Sequence, residues 1–450
     1  MHSDEAHDPE PLESVMMPID AVLVPLQMFA RHKLAGAGLL LLATVVALIL
    51  ANSPWAEAYH HTLHLEMHIS LGSVSLTKSL HHLINDGLMG IFFFLVGLEI
   101  KRELIAGELS SRRKAALPAL AAVGGMVLPA LLYVAINPEP PLRSGWGIPM
   151  ATDIAFALGV LAVLGSRLPP GLKVLLTALA IVDDIGAVAV IAIFYTDQIA
   201  TTALSVGLVG VGASIMMSRL GVRNALAYFL VGAAVWLAFL ESGVHATIAA
   251  LLMAFTIPAR TSIDGTRLVD RLDSALARLR RMGPPSDKGL NRHDQQHLLD
   301  EVAAIRGAAT APLQNLEHAL VPVVTFLILP VFALANAGVS LSGVGLEALT
   351  GGIALGVIVG LVLGKPLGIV AFTWLAVRLG VADLPQGVSW RHVLGIGLLG
   401  GIGFTMALFV GGLAFTSAAE LEAAKVGILV ASVVAGVVGL LVLRSTPAHD

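Results

Sequence analysis

Apolar residues in this chain run in long stretches, without the short alternation of strands packed in water. Twelve stretches approach the roughly 20 residues that a helix needs to cross a hydrocarbon core. They lie near 34–52, 80–100, 116–136, 146–165, 172–195, 201–217, 224–240, 244–258, 316–337, 351–377, 392–415 and 424–443. Backbone polar groups must be satisfied inside lipid, and these runs are too long for barrel strands, so each predicts a membrane-spanning helix. Two polar intervals carry patterns of their own. Within 53–79, "MHISLGSVSLTKS" alternates around Gly72-Ser73 and predicts an external hairpin. Within 259–315, "RLVDRLDSALARLRRM" and "HDQQHLLDEVAAIRG" have helical periodicity around a "GPPSDKG" break, which predicts two amphipathic helices in an enlarged loop without a catalytic site. Residues 1–33 and 444–450 read as tails around a membrane-spanning body at 34–443, and "PIDAVLVPLQMFARHK" reads as a non-specific approach to the first span, with an amphipathic lead-in along the interface as the alternative. The start "MHSDEAHDPEPLESV" is acidic and polar, which predicts an uncleaved first span rather than a signal peptide.

Composition agrees: 56% of the 450 residues are hydrophobic and 13% charged, with a mean hydropathy of +0.85, outside the range of a soluble domain. The fold class expected is an all-α membrane protein of twelve transmembrane helices. A net charge of −4 gives no sign of a nucleic-acid partner, and the absence of cysteine excludes disulfides and thiolate metal sites. Lysine and arginine set the orientation. With the N-terminus inside, 23 basic residues fall in inner connections and tails against Lys78, Arg143 and Lys425 outside, which predicts both termini in the cytoplasm.

A carboxylate at the centre of a membrane helix costs about 2.5 to 3.5 kcal/mol on insertion scales, so each one calls for a role. "LLTALAIVDDIGAVAVIAIF" places Asp183 and Asp184 near the middle of span 5. Adjacent helical positions point about 100° apart, so the two can edge one cavity without facing each other across it. Asp153 follows Pro149 and Thr152 in span 4, and "VLGKPLGIV" puts Lys365 midway along span 10, where Asp183 or Asp184 is its expected partner. Three acids and one lysine leave a deficit of about two positive charges, which protons or a hard cation can fill in turn. Exchange is the function this favours. A structural ion network would need only one Asp–Lys pair, an aspartyl protease dyad would need acids facing from separate helices, and Lys365 opposes a passive cation pore.

Backbone signals coincide with these acids. "LGIGLLGGIGFTMALF" concentrates Gly400, Gly401 and Gly403 at the centre of span 11, and Pro149 disfavours regular helix at the centre of span 4. Spans 4 and 11 hold matching places in triplets 3–5 and 10–12, which enter the membrane from opposite sides. Two interrupted helices in inverted-topology repeats point to a midplane ion site. Packing is the competing role for the glycines.

The strings "INDGLMGIFFFLVGLEIKREL", "ATDIAFALGVLAVLG", "LTALAIVDDIGAVAVIAIFYT", "ESGVHATIAA", "LILPVFALANAGVS", "GKPLGI" and "GGIGFTMALF" resemble the bacterial NhaA family of Na+/H+ antiporters, in order from about residue 34 to 443. The resemblance implies electrogenic, pH-regulated exchange of Na+ or Li+ for protons across the bacterial inner membrane, a homodimer formed through the external hairpin at 60–79, and no organic cofactor. It implies that Asp184 carries ion and proton, that Asp183 pairs with Lys365, that Na+ or Li+ binds at Asp183 and Asp184, and that Asp153 beside Thr152 compensates the ends of the broken helices. For pH sensing it points to Glu99, Arg102, Glu103, Glu317 and His318, with Val321 where some members add a histidine, and to His245. Helix-end charges and helix packing are the competing roles for that set. His60, His61, His64 and His68 could hold a metal on the outer face by their helical spacing, but an exposed loop accounts for them better.

Overall fold

The structure is a computed structural model and describes residues 34–71, 74–196, 199–261, 263–282, 293–340 and 349–446. The segment "PIDAVLVPLQMFARHK", read as an approach to the first span or an interfacial lead-in, lies outside those residues. Each of the twelve predicted stretches has a helical counterpart. Among the described residues, eight helices are long and apolar enough to cross a bilayer singly, and three bent pairs qualify together.

The first pair is α1 (Ala35–Ala51) and α2 (Ala56–His64), bent by 111°. It leads into β1 (Glu66–Leu71) and β2 (Val74–Ser79), an antiparallel hairpin with Glu66 opposite Ser79 and Leu71 opposite Val74. Its Gly72-Ser73 turn is outside the described residues. Then come α3 (Leu80–Ala106), α4 (Arg112–Ile136), the 3-10 segment α5 (Leu142–Met150), α6 (Ile154–Val163) and α7 (Pro170–Phe194). The fourth span is α5 plus α6, bent by 43°, and it begins at Leu142, earlier than apolar content alone indicated. After α8 (Thr201–Arg219) and α9 (Ala225–Ser242), the eighth span shrinks to α10 (Ala246–Thr256). At 11 residues α10 covers roughly 17 Å, about half a hydrocarbon core. It can stop there because Lys101 of α3 donates to the carbonyls of Phe255, at 2.6 Å, and Ile257, capping the negative end with a full positive charge.

The enlarged loop contains the two expected helices, α11 (Gly265–Met282) and α12 (His293–Ala309). The chain returns through α13 (Pro312–Asn336), α14 (Gly352–Arg378), the broken span α15 (Trp390–Gly400) and α16 (Phe404–Ala414), bent by 46°, and α17 (Ala418–Arg444). The triplets α4–α7 and α14–α17 therefore share one order: unbroken, broken, unbroken. Each span of the second triplet comes seven places after its counterpart in the first, an odd offset, so the triplets run in opposite directions through the membrane.

Two features went unread in the sequence. Helices α3, α13 and α14 each contain a wide π turn, at Leu83–Leu88, Val324–Ile328 and Gly360–Gly364. The last two precede Pro330 and Pro366, whose rings would clash with the carbonyls of Phe326 and Val362; the extra residue per turn absorbs that conflict. The second is a ladder of glycines every fourth residue along α14: Gly352, Gly356, Gly360, Gly364 and Gly368. They face Asn137, Tyr133, Pro129, Pro149 and Gly124, and a Cβ at Gly364 would lie 2.7 Å from the Pro129 Cα. Small residues let helix backbones approach in lipid, where no hydrophobic force drives them together. Lys365 is carried on this close crossing.

Candidate ion-exchange site

Residues 151–153 interrupt the fourth span and 401–403 the eleventh, and the two breaks meet. The Asp153 N–H donates to the Ile402 carbonyl at 2.7 Å, and the Thr152 hydroxyl to the Gly400 carbonyl at 2.9 Å. Gly400 is the last residue of α15, so the unwound stretch is Gly401 to Gly403. Gly401 could not carry a side chain cheaply: a Cβ there would press on the Leu361 and Leu398 carbonyls.

The Asp153 carboxylate sits where two helices begin. Its Oδ1 accepts the Phe156 N–H at 2.9 Å, capping α6; its Oδ2 accepts the Thr405 N–H at 3.1 Å and the Thr405 hydroxyl, capping α16. Each helix start carries about half a positive charge, so two starts balance one carboxylate. Ser432 of α17 completes the α16 start by accepting the Phe404 N–H at 3.1 Å.

Lysine is used in the opposite sense. The buried Lys365 ammonium donates to Asp183 Oδ2 at 2.7 Å and to the Met150 carbonyl at the end of α5. It therefore neutralises an acid and a helix end together. The deficit of about two charges counted from side chains alone is corrected by these helix ends: Asp153 is satisfied by backbone dipoles, and Asp183 by Lys365. Asp184, also buried, has an Oδ2 with no hydrogen-bond partner, as does Asp183 Oδ1. The charges that act on Asp184 belong to Asp183, Glu99, Lys365 and Asp153. Thr405 and the Met150 carbonyl escaped the sequence reading. Thr405 stood inside the quoted "GGIGFTMALF" but only the glycines drew notice, and a carbonyl's exposure by a broken helix leaves no residue signature.

A test of the Asp153 cap follows. Thr405→Val removes one charge-assisted hydrogen bond and keeps the backbone N–H, so a loss of about 1.5 to 3 kcal/mol is expected. Thermal unfolding in detergent reads it, and an unchanged transition would mean that the hydroxyl contributes nothing.

The other candidates divide into two places. Arg102 of α3 bonds Glu103 at 3.0 Å and the buried Glu317 of α13, while Glu103 accepts the Glu108 N–H at 2.9 Å. Glu99, one turn earlier on α3, acts electrostatically on both Glu317 and Asp184 and so links this cluster to the site. His318 is exposed beside it, as is Val321. His245 lies elsewhere. It precedes α10, stacks edge-to-face on Phe409 of α16 at 5.6 Å, and has Asp86 and His82 as neighbours, toward the other end of α3 from Arg102. His60, His61 and His64 are exposed on α2, with His68 on β1, so a helix replaces the loop expected for the first three. Among the described residues no three His, Asp or Glu side chains are grouped to hold a metal.

Helices packed around two touching breaks, with buried carboxylates and one buried lysine at their crossing, define a multi-pass membrane transporter of all-helical architecture. The profile described as "Na+/H+ antiporter 1" matches residues 27–443, and the chain belongs to that family, whose members are transporters and not enzymes. It is 51% identical to the Na(+)/H(+) antiporter NhaA of Acidithiobacillus ferrooxidans over 93% of this chain and 97% of that protein. It is 49% identical to the Na(+)/H(+) antiporter NhaA of Koribacter versatilis over 96% of this chain and 93% of that protein. Among solved structures it matches the sodium proton antiporter MjNhaP1 of Methanocaldococcus jannaschii at 14% identity and a TM-score of 0.48, covering 95% of this chain and 99% of that one.

Proposed function

We propose that this protein expels Na+ or Li+ in exchange for external protons, moving more protons than cations per cycle, by alternating access at a site formed by Asp184, Asp183, Asp153 and Thr152. The observation that supports this reading best is the unequal treatment of three buried acids. Asp153 is held by helix starts and Asp183 by Lys365, which leaves Asp184 to take a proton or a hard cation. The cation sits at Asp184 with Asp183 as its second carboxylate. Lys365 compensates charge, and Gly401 to Gly403 supply the unwound backbone between α15 and α16. No organic cofactor is required.

In this reading the protein lies in the bacterial inner membrane with both termini in the cytoplasm, by the distribution of Lys and Arg. The Arg102–Glu317 cluster, with Glu99, Glu103 and His318, regulates exchange with pH, since coupled acids respond as a set. His245 is a separate candidate on the outer half. The β1–β2 hairpin joins two copies in a homodimer; a two-stranded sheet is marginal alone in water, and its open edges suit pairing with a second chain.

The test is dye-monitored ΔpH in inside-out vesicles, with Na+, Li+ or K+ added across a pH series. Na+ and Li+ are expected to dissipate the gradient and K+ to leave it intact. A gradient unmoved by Na+ and Li+ at every pH ends the proposal.

A further inference from the structure

Helix α11 has an apolar surface that the exchange site does not use. On a wheel of about 100° per residue, Val269, Leu272 and Leu276 fall within about 60° of one another. All three are exposed, at 56%, 37% and 49%. They are distinct from the seam that joins α11 to α12, where Ala275 and Ile305 are buried with Leu268 against them. Arg278 of α11 also reaches Glu301 of α12 at 2.8 Å, so the two helices form a hairpin held by its own contacts. Leu299 and Val302 of α12 add further exposed apolar surface.

The base of this hairpin is clamped to the membrane-spanning body. The Leu313 N–H donates to the Pro258 carbonyl at 3.1 Å, which brings together the strand leaving α10 and the start of α13. Arg223, before α9, donates to the Thr310 carbonyl at 2.7 Å. Both stems therefore rise from the same membrane face. Charge is also asymmetric: Gly265–Met282 contains five arginines against two aspartates, whereas His293–Ala309 contains one arginine against three acids.

We infer that α11 lies on the adjacent leaflet, with Val269, Leu272 and Leu276 seated among lipid tails and its net positive charge drawn to anionic headgroups. A helix with an apolar stripe and a basic polar face binds an interface by buried area plus electrostatic attraction, at about 1 kcal/mol per basic residue near an anionic surface. The membrane is the occupant that the tether keeps within reach at all times. The less basic α12 packs beside α11 and runs directly into α13, which carries Glu317.

Because the chain has no cysteine, a single nitroxide can be placed cleanly. Leu272→Cys and, on another face, Ser274→Cys are labelled in the full chain and reconstituted into phosphatidylcholine liposomes with or without phosphatidylglycerol. With phosphatidylglycerol, the ratio of oxygen to water-soluble nickel collisions is expected to be several-fold higher at 272 than at 274. Equal, nickel-dominated collisions at both positions would overturn the inference. Shielding of 272 from both reagents would also overturn it, because a protein surface such as a second copy would then cover the stripe. A high ratio at 272 that is indifferent to phosphatidylglycerol would remove the anionic surface as partner.

Discussion

Asp184→Asn is expected to abolish exchange and leave the fold at least as stable as before. The side chain keeps its shape but loses its charge and its ability to carry a proton. Lys365 cannot substitute, since it is engaged by Asp183 and the Met150 carbonyl, and Asp153 is engaged by two helix starts. Losing a full charge from a buried ion site is worth about 3 to 5 kcal/mol, so Na+-driven proton movement should fall by about 100-fold or more. Stability should move the other way. The Asp184 carboxylate is buried with an unpartnered oxygen, and removing a poorly compensated charge relieves its desolvation cost. Vesicle ΔpH measurements and thermal unfolding of the same variant check both halves. Exchange near the parental rate would move the ion to another group, and a large loss of stability would make Asp184 a structural residue.

The second large effect belongs to Lys365. Lys365→Met leaves Asp183 buried without its counter-charge and the end of α5 without its cap, and a loss of about 3 to 5 kcal/mol is expected. Adding Asp183→Asn should recover much of it, because the pair is then removed as a unit. Exchange should not return with stability if Asp183 also contributes to the cation. Thermal unfolding of both single variants and the double variant closes the cycle. Additive losses would mean that Lys365 stabilises the protein through Met150 and packing, independently of Asp183.

These expectations show what could be read from residues and what could not. The twelve stretches were legible because lipid demands long apolar runs, and the acids stood out because they are costly there. The breaks were legible from Pro149 and from Gly400, Gly401 and Gly403. Helix ends were less so. The run of apolar residues reports hydrophobicity, not hydrogen bonding, so it placed the fourth span's start at 146 instead of Leu142 and overestimated α10. The largest gap was electrostatic. Counting side chains gave three acids against one lysine, but a broken helix contributes partial charges that belong to no residue type. Only the observed geometry at Phe156, Thr405 and Met150 shows where those charges fall. The glycine ladder of α14 differs again: it was written in the sequence at a fixed four-residue period, and what could not be read was the helix it faces. For His245 the sequence left a pH role and helix packing open, and the fold sets it against Phe409.

The double cap at Asp153 also has a mechanical meaning. One side chain is bonded to the first turn of α6 and to the first turn of α16, and the adjoining backbone is bonded to Ile402. While those bonds hold, neither half-helix can slide along its axis without dragging the other. The carboxylate thus ties the two broken spans together at their crossing.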